Sequence, residues 1–334
     1  MDGLKVMQRD VIQRRYDRLV LAAALLALVA VVLGAYVRLS DAGLGCPDWP
    51  GCYGHLTVPH SEAAQQAYPA KPLEAHKAWK EMVHRYFAGT LGLLIAAICF
   101  TAWRGRGRLA ASPAVPTLLL ALVAFQAVLG MWTVTLLLKP AIVSLHLLGG
   151  MATLALLVWL ASSRWLASTP DSLQLAPWAM LGLAVLGCQI ALGGWTSSNY
   201  AALACTDFPS CHEAWWPSMD FPSAFHLARE LGMNTDGSRL SMDALTAIHV
   251  THRIGALAVF IYLGWLGSRL LHAPGLRPLG IGLLGLLLVQ IGLGVSNVVF
   301  SLPLPIAVAH NAGAALLLAA LVVINSKLLR GGSP

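Results

Sequence analysis

The stretch Glu81-Met82-Val83-His84-Arg85 opens an apolar run from Tyr86 to Trp103, and it has an echo in His249-Val250-Thr251-His252-Arg253 at the head of another. With its flanks the first run is long enough to cross a bilayer, which takes about 20 apolar residues. A carboxylate, an imidazole and a guanidinium are costly at the mouth of a membrane helix and are functional candidates there. Glu81 and His84 stand three apart, so they share a helix face. One His-Arg pair reads as an interfacial anchor. The same pair twice, in a chain that repeats itself, predicts a binding site built twice.

Composition supports a membrane setting. Apolar residues make up 57% of the chain and charged residues only 11%, against about 25% charged in soluble domains. The net charge of +7 is no sign of nucleic-acid binding. Most of the basic residues lie in short segments between apolar runs, where the positive-inside rule puts them. Lys5, Arg9, Arg14, Arg15 and Arg18 precede the run Leu19–Val37. That run is too long for a signal-peptide core and is followed by Arg38, so an uncleaved first span is expected.

Hydropathy predicts spans at roughly 17–39, 80–103, 114–138, 141–162, 176–198, 244–270, 278–300 and 305–328. Arg104, Arg106, Arg108, Arg164, Arg269 and Arg277 fall in the inner connections, and Lys327 and Arg330 in the tail. Both termini are therefore expected in the cytoplasm. The outer connections alternate long and short: 40–79, Lys139-Pro140, 199–243 and Ser301–Pro305.

That alternation is a repeat. Leu33-Gly34-Ala35-Tyr36 leads to Cys46-Pro47-Asp48-Trp49-Pro50-Gly51-Cys52, as Leu192-Gly193-Gly194-Trp195 leads to Cys205-Thr206-Asp207-Phe208-Pro209-Ser210-Cys211. Gln126-Ala127-Val128-Leu129-Gly130 pairs with Gln290-Ile291-Gly292-Leu293-Gly294, and His146 with His310. The expected architecture is an all-α integral membrane protein. Its eight transmembrane helices form two tandem pseudo-symmetric four-helix bundles, residues 1–165 and 166–334.

His84, His146, His252 and His310 fall near the outer starts of even-numbered spans, at similar depth. Two imidazoles at one depth on neighbouring helices can meet across a bundle core and ligate a haem iron. Taken singly, each also reads as an interfacial or hydrogen-bonded core histidine. Arg85 and Arg253 follow their histidines and can pair with porphyrin propionates or extend to the head groups. Glu81, matched by His249, is either a proton acceptor beside a bound tetrapyrrole or a solvated first-turn residue. The Cys-x5-Cys loops can close as disulfides on the oxidising face or bind metal, whereas Cys99 and Cys188 are expected to pack inside spans.

Glu81-x-x-His84-Arg85, His146, His252-Arg253, His310 and Cys46-Pro-Asp-Trp-Pro-Gly-Cys52, in this order and with the duplication, resemble the haem A synthase family over nearly the whole chain. The resemblance implies oxidation of the haem O methyl group to a formyl group by successive hydroxylation. It implies haem b on His252 and His310 in the C-terminal half. It places haem O near His84 and His146 in the N-terminal half, with Glu81 required for chemistry. Cys46–Cys52 resembles the family's outer disulfide, and Cys205–Cys211 a second pair found in part of it. The expected setting is a bacterial inner membrane, with a haem O synthase, an electron donor and a second copy of the chain as candidate partners. A bis-His electron carrier of the cytochrome b type would fill both sites permanently, and a haem chaperone would bind haem O unconverted. A transporter fits less well, because the polar residues gather near one face rather than the midplane.

Overall fold

The computed structural model describes residues 2–107, 109, 112–162, 174–234 and 236–330. Arg108, Arg164 and the boundary expected at 165/166 lie outside the described residues. Among the described residues, eight helices are long and apolar enough to span a membrane. They are α1 (Asp2–Leu39), α3 (Ala75–Arg104), α4 (Ala114–Thr135), α5 (Pro140–Ser162), α6 (Ala176–Ser198), α8 (Met242–His272), α9 (Arg277–Val299) and α10 (Leu304–Arg330). The short α2 (Ser61–Ala67) and α7 (Phe221–Ala224) lie in the two long outer connections. α3 and α8 begin earlier than hydropathy predicts, because their first turns carry the polar residues that meet the outer loops.

The helices pack in closed rings. α1 packs on α3, α3 on α4, α4 on α5 and α5 on α1; α6, α8, α9 and α10 pack in the same cyclic order. The rings meet through α1 with α10, α5 with α6, and α5 with α10. α3 and α5 are therefore opposed corners of one ring, and α8 and α10 of the other. The histidines expected on neighbouring helices sit instead on opposed ones, because alternate helices of an up-and-down bundle are diagonal.

One end of both rings is solidly filled with aliphatic side chains. Val20, Ile95, Ile98, Leu154 and Leu157 are buried there in the first ring, and Leu263, Leu266, Leu283 and Leu321 in the second. Leu93, Phe100 and Leu288 point outward and are exposed, as lipid-facing residues are. Cys188 is exposed as well, against the expectation that it packs inside; it sits on an outward face of α6. Cys99 is buried.

The two halves also repeat in backbone conformation. Asp41 and Tyr200, Tyr53 and His212, Leu137 and Ser301, and Leu138 and Leu302 are matched non-glycine residues with positive φ. That conformation is costly for L-residues, so each turn is imposed by what surrounds it. In the second outer connection Arg229 is only 1% exposed. It donates to Asn199 Oδ1, Ser223 O and Ala224 O and lies 5.4 Å from the Trp195 ring. Burial works against its charge and lowers its pKa; these acceptors and the ring face offset the loss of water.

Candidate functional site

The outer ends of the rings carry the polar chemistry. Both Cys-x5-Cys loops are disulfides, Cys46–Cys52 and Cys205–Cys211, so metal binding by these thiols is overturned. Asp48 folds the first loop by accepting from the backbone N–H groups of Tyr53 (2.6 Å) and Gly54 (2.8 Å). Asp207 does the same for His212 (2.9 Å) and Glu213 (3.0 Å). The Ser210 hydroxyl, with those two N–H groups, holds the Asp207 carboxyl well below its usual range.

Each loop is fastened to a spanning helix by the arginine after the first histidine. Arg85 donates to the carbonyls of Asp48, Pro50 and Gly51 and forms an ion pair with Glu81. Arg253 donates to the carbonyls of Cys205, Asp207 and Ser210. Both guanidinium groups thus grip the loop backbone. Backbone carbonyls converging at a loop closed by a disulfide are a ready acceptor set for a planar donor fork.

Glu81 is 4% exposed and is neither solvated nor in the first turn. One oxygen accepts from Cys46 N at 2.9 Å, and the other meets Arg85. His249 repeats this position: its Nδ1 accepts from Cys205 N at 3.2 Å, and its Nε2 lies 3.4 Å from Arg253 Nε. The two residues hold matched loops in the same way, but only Glu81 brings a carboxylate.

The four histidines share a further device. A Cβ built on Gly34 would lie 3.0 Å from Cε1 of His84; on Gly130, 3.4 Å from His146; on Gly193, 3.2 Å from His252; on Gly294, 3.1 Å from His310. Every imidazole thus lies against a glycine on the preceding spanning helix. Sequence alone gives these glycines no role, nor Gln189, whose Nε2 lies 3.1 Å from His252 Nδ1. The spacing Gln-x3-Gly in Gln126–Gly130, Gln189–Gly193 and Gln290–Gly294 was the available signal. In the fourth copy the glutamine is replaced by Ala30, four residues before Gly34.

His84 and His146 are close enough for charge on one to act on the other, and so are His252 and His310. The Nδ1 atoms of His84, His146 and His310 are buried without a hydrogen-bond partner. Orphaned ring nitrogens of this kind ask for a further group in the site. His84 and His146 line a cavity of 660 Å³ that Glu81, Ala30 and Arg38 also border. That volume is within the range of small-molecule sites. His252 and His310 do not border it.

The chain is similar to known proteins over most of its length. Residues 17–322 match the COX15-CtaA family, described as cytochrome oxidase assembly protein. A heme A synthase of Shewanella oneidensis is 47% identical over 306 residues, covering 89% of this chain and 92% of that protein. A heme A synthase of Caulobacter sp. is 30% identical over 329 residues, covering 89% of this chain and 91% of its own. One of Nitrosospira multiformis is 27% identical over 359 residues, covering 98% and 97%. On the match over most of its length and on its similarity to the Shewanella enzyme, the chain belongs to the COX15-CtaA family of cytochrome oxidase assembly proteins.

Proposed function

We propose that this protein is a membrane haem A synthase that oxidises the methyl group of haem O to the formyl group of haem A. The observation that carries the reading is an asymmetric duplication. Two matched histidine pairs stand against matched glycines, but they differ at the 660 Å³ cavity: His84 and His146 line it together with the carboxylate of Glu81, and His252 and His310 do not. Residues 1–165 are the substrate half and residues 166–334 the haem b half.

The residues of the second half suit a resident haem. His252 and His310 stand on the opposed helices α8 and α10 of one ring, Gly193 and Gly294 leave room at their ring edges, and His310 Nδ1 is an orphan. These two histidines would hold haem b, which supplies one-electron redox chemistry when bound. Gln189 orients His252, as partners of metal-ligating histidines do. Arg253 and Arg85 act by fixing the disulfide loops above their sites. Direct contact of either with a propionate is left out of the proposal, because their guanidinium groups already serve loop carbonyls.

In the first half His84 and His146 hold the iron of the substrate. Each hydroxylation turns a C–H bond of the methyl group into C–O–H, a two-electron oxidation that needs an external oxidant, and the Glu81 carboxylate borders the same cavity, where it can take up or hand on the accompanying protons. The second hydroxylation gives a gem-diol, which loses water to leave the aldehyde. The apolar walls of the cavity exclude bulk water from that carbon. Arg104, Arg269 and Arg277 lie at the ends of the rings away from the disulfide loops, which supports cytoplasmic termini in a bacterial inner membrane. A haem O synthase as supplier, an electron donor and self-association belong to the same proposal.

The division of labour is tested by stoichiometry. Purified protein should carry about one tightly held haem b per chain, and haem O added in titration should fill a second site. Two permanently filled sites would favour an electron carrier. Ala30 gives a second check, because it leaves beside His84 the space that Gln189 fills beside His252. Ala30→Gln should weaken haem O binding about ten- to hundred-fold, the equivalent of about 1–3 kcal/mol of overpacking. Haem b content should not change.

A further inference from the structure

We propose that Arg38 is the anchor for a propionate carboxylate of the haem O substrate and so determines which edge of the macrocycle faces outward. This rests on the assignment of the first half as the substrate half. Three charged residues border the cavity: Arg38, Glu81 and Arg85. Glu81 and Arg85 neutralise each other as an ion pair. The uncompensated charge on the wall is therefore the guanidinium of Arg38.

Arg38 is the last residue but one of α1, at the level of the outer loops. Among the described residues it forms an ion pair with no carboxylate. The nearby Asp41 is engaged by Lys77 at 3.7 Å and by the Tyr200 hydroxyl at 3.1 Å. Arg38 is nonetheless held in place. Its Nη2 donates to Ser197 O at 2.7 Å, and its guanidinium carbon lies 4.0 Å from the centre of the Tyr200 ring. Its Nε is buried without a partner. A cation fixed on its face and through Nη2, with no hydrogen bond from Nη1 among the described residues, is organised to receive an anion.

The duplication adds an independent reason. Ser197 occupies in the second half the position that Arg38 occupies in the first, just as Gly193 matches Gly34. Arg38 therefore reaches across to its own counterpart, and the second half has no such cation. The charge goes with the half that has the open cavity and the carboxylate. A dianionic macrocycle entering an apolar cavity in the membrane needs a cation at its wetter end. His84 lies against Gly34, one turn of α1 inward from Arg38, so a carboxylate on Arg38 leaves the opposite edge of the ring directed into the cavity.

The test compares haem O with its dimethyl ester, in which both propionates are capped. Wild type and Arg38→Gln, each carrying haem b, are titrated with both forms, and binding is followed by absorbance. Wild type should prefer the free acid by about ten- to hundred-fold. Arg38→Gln should bring that preference close to one, with ester affinity and haem b content unchanged. Arg38→Lys keeps a charge without the planar fork and should fall in between; it decides the matter if the glutamine variant does not accumulate. Equal weakening of both forms, or an undiminished preference in the variants, would overturn the proposal. Failure of wild type to bind either form would instead overturn the substrate-half assignment, before any variant is compared.

Discussion

His252→Ala and His310→Ala proteins should each be purified with less than about a tenth of the wild-type haem b. Replacing an outer-shell partner of a metal-ligating histidine already costs about ten- to hundred-fold in affinity, and removing the ligand itself costs at least as much. The effect should be confined to one half. His84→Ala and His146→Ala should keep the resident haem and its spectrum and lose the second, exchangeable site. The rings pack separately around their own histidines and meet through α1, α5, α6 and α10, so damage at one pair need not reach the other. Absorbance per chain and haem extraction read both results. An unchanged haem b spectrum in His252→Ala would remove that residue from the ligand set.

Glu81→Gln should retain haem b and lose conversion of haem O by about 10²–10⁴-fold, the usual contribution of a positioned acid–base group. The difficulty is that Glu81 also holds the first loop, through Cys46 N and Arg85. The second half resolves it, because His249 holds the matched place, accepting from Cys205 N and lying beside Arg253, without a carboxylate. Glu81→His is thus a substitution that the fold has already accepted at the matched position. Both variants should fold, keep the Cys46–Cys52 loop and accumulate haem O or its hydroxylated product. Wild-type conversion by either would reduce Glu81 to a loop anchor.

Much of the architecture was legible because a membrane imposes it. Apolar runs of fixed length gave the eight spans, although α1 extends ahead of its apolar stretch to Asp2, and the Cys, His-Arg and Gln-x3-Gly matches exposed the duplication. Cys-x5-Cys spacing admitted disulfides, and the structure has two. What stayed hidden were contacts between helices. Nothing in the order of residues says that Arg85 and Arg253 serve loop carbonyls, since those acceptors are backbone atoms without a side-chain signature. The glycines behind the histidines looked like ordinary close-packing positions. That Cys188 faces outward could not be read from a helix apolar all round. Arg38 looked like a charge ending a span until the cavity placed it beside His84 and Glu81.

The most direct test is to co-express the chain with a haem O synthase in a host that makes no haem A, and to analyse acid-extracted haems by chromatography and mass spectrometry. The account predicts haem A, or its hydroxylated precursor, in cells with the chain and neither in cells without it. Haem B and unconverted haem O alone, alongside a folded and reducible protein, would contradict it and leave an electron carrier or a haem chaperone.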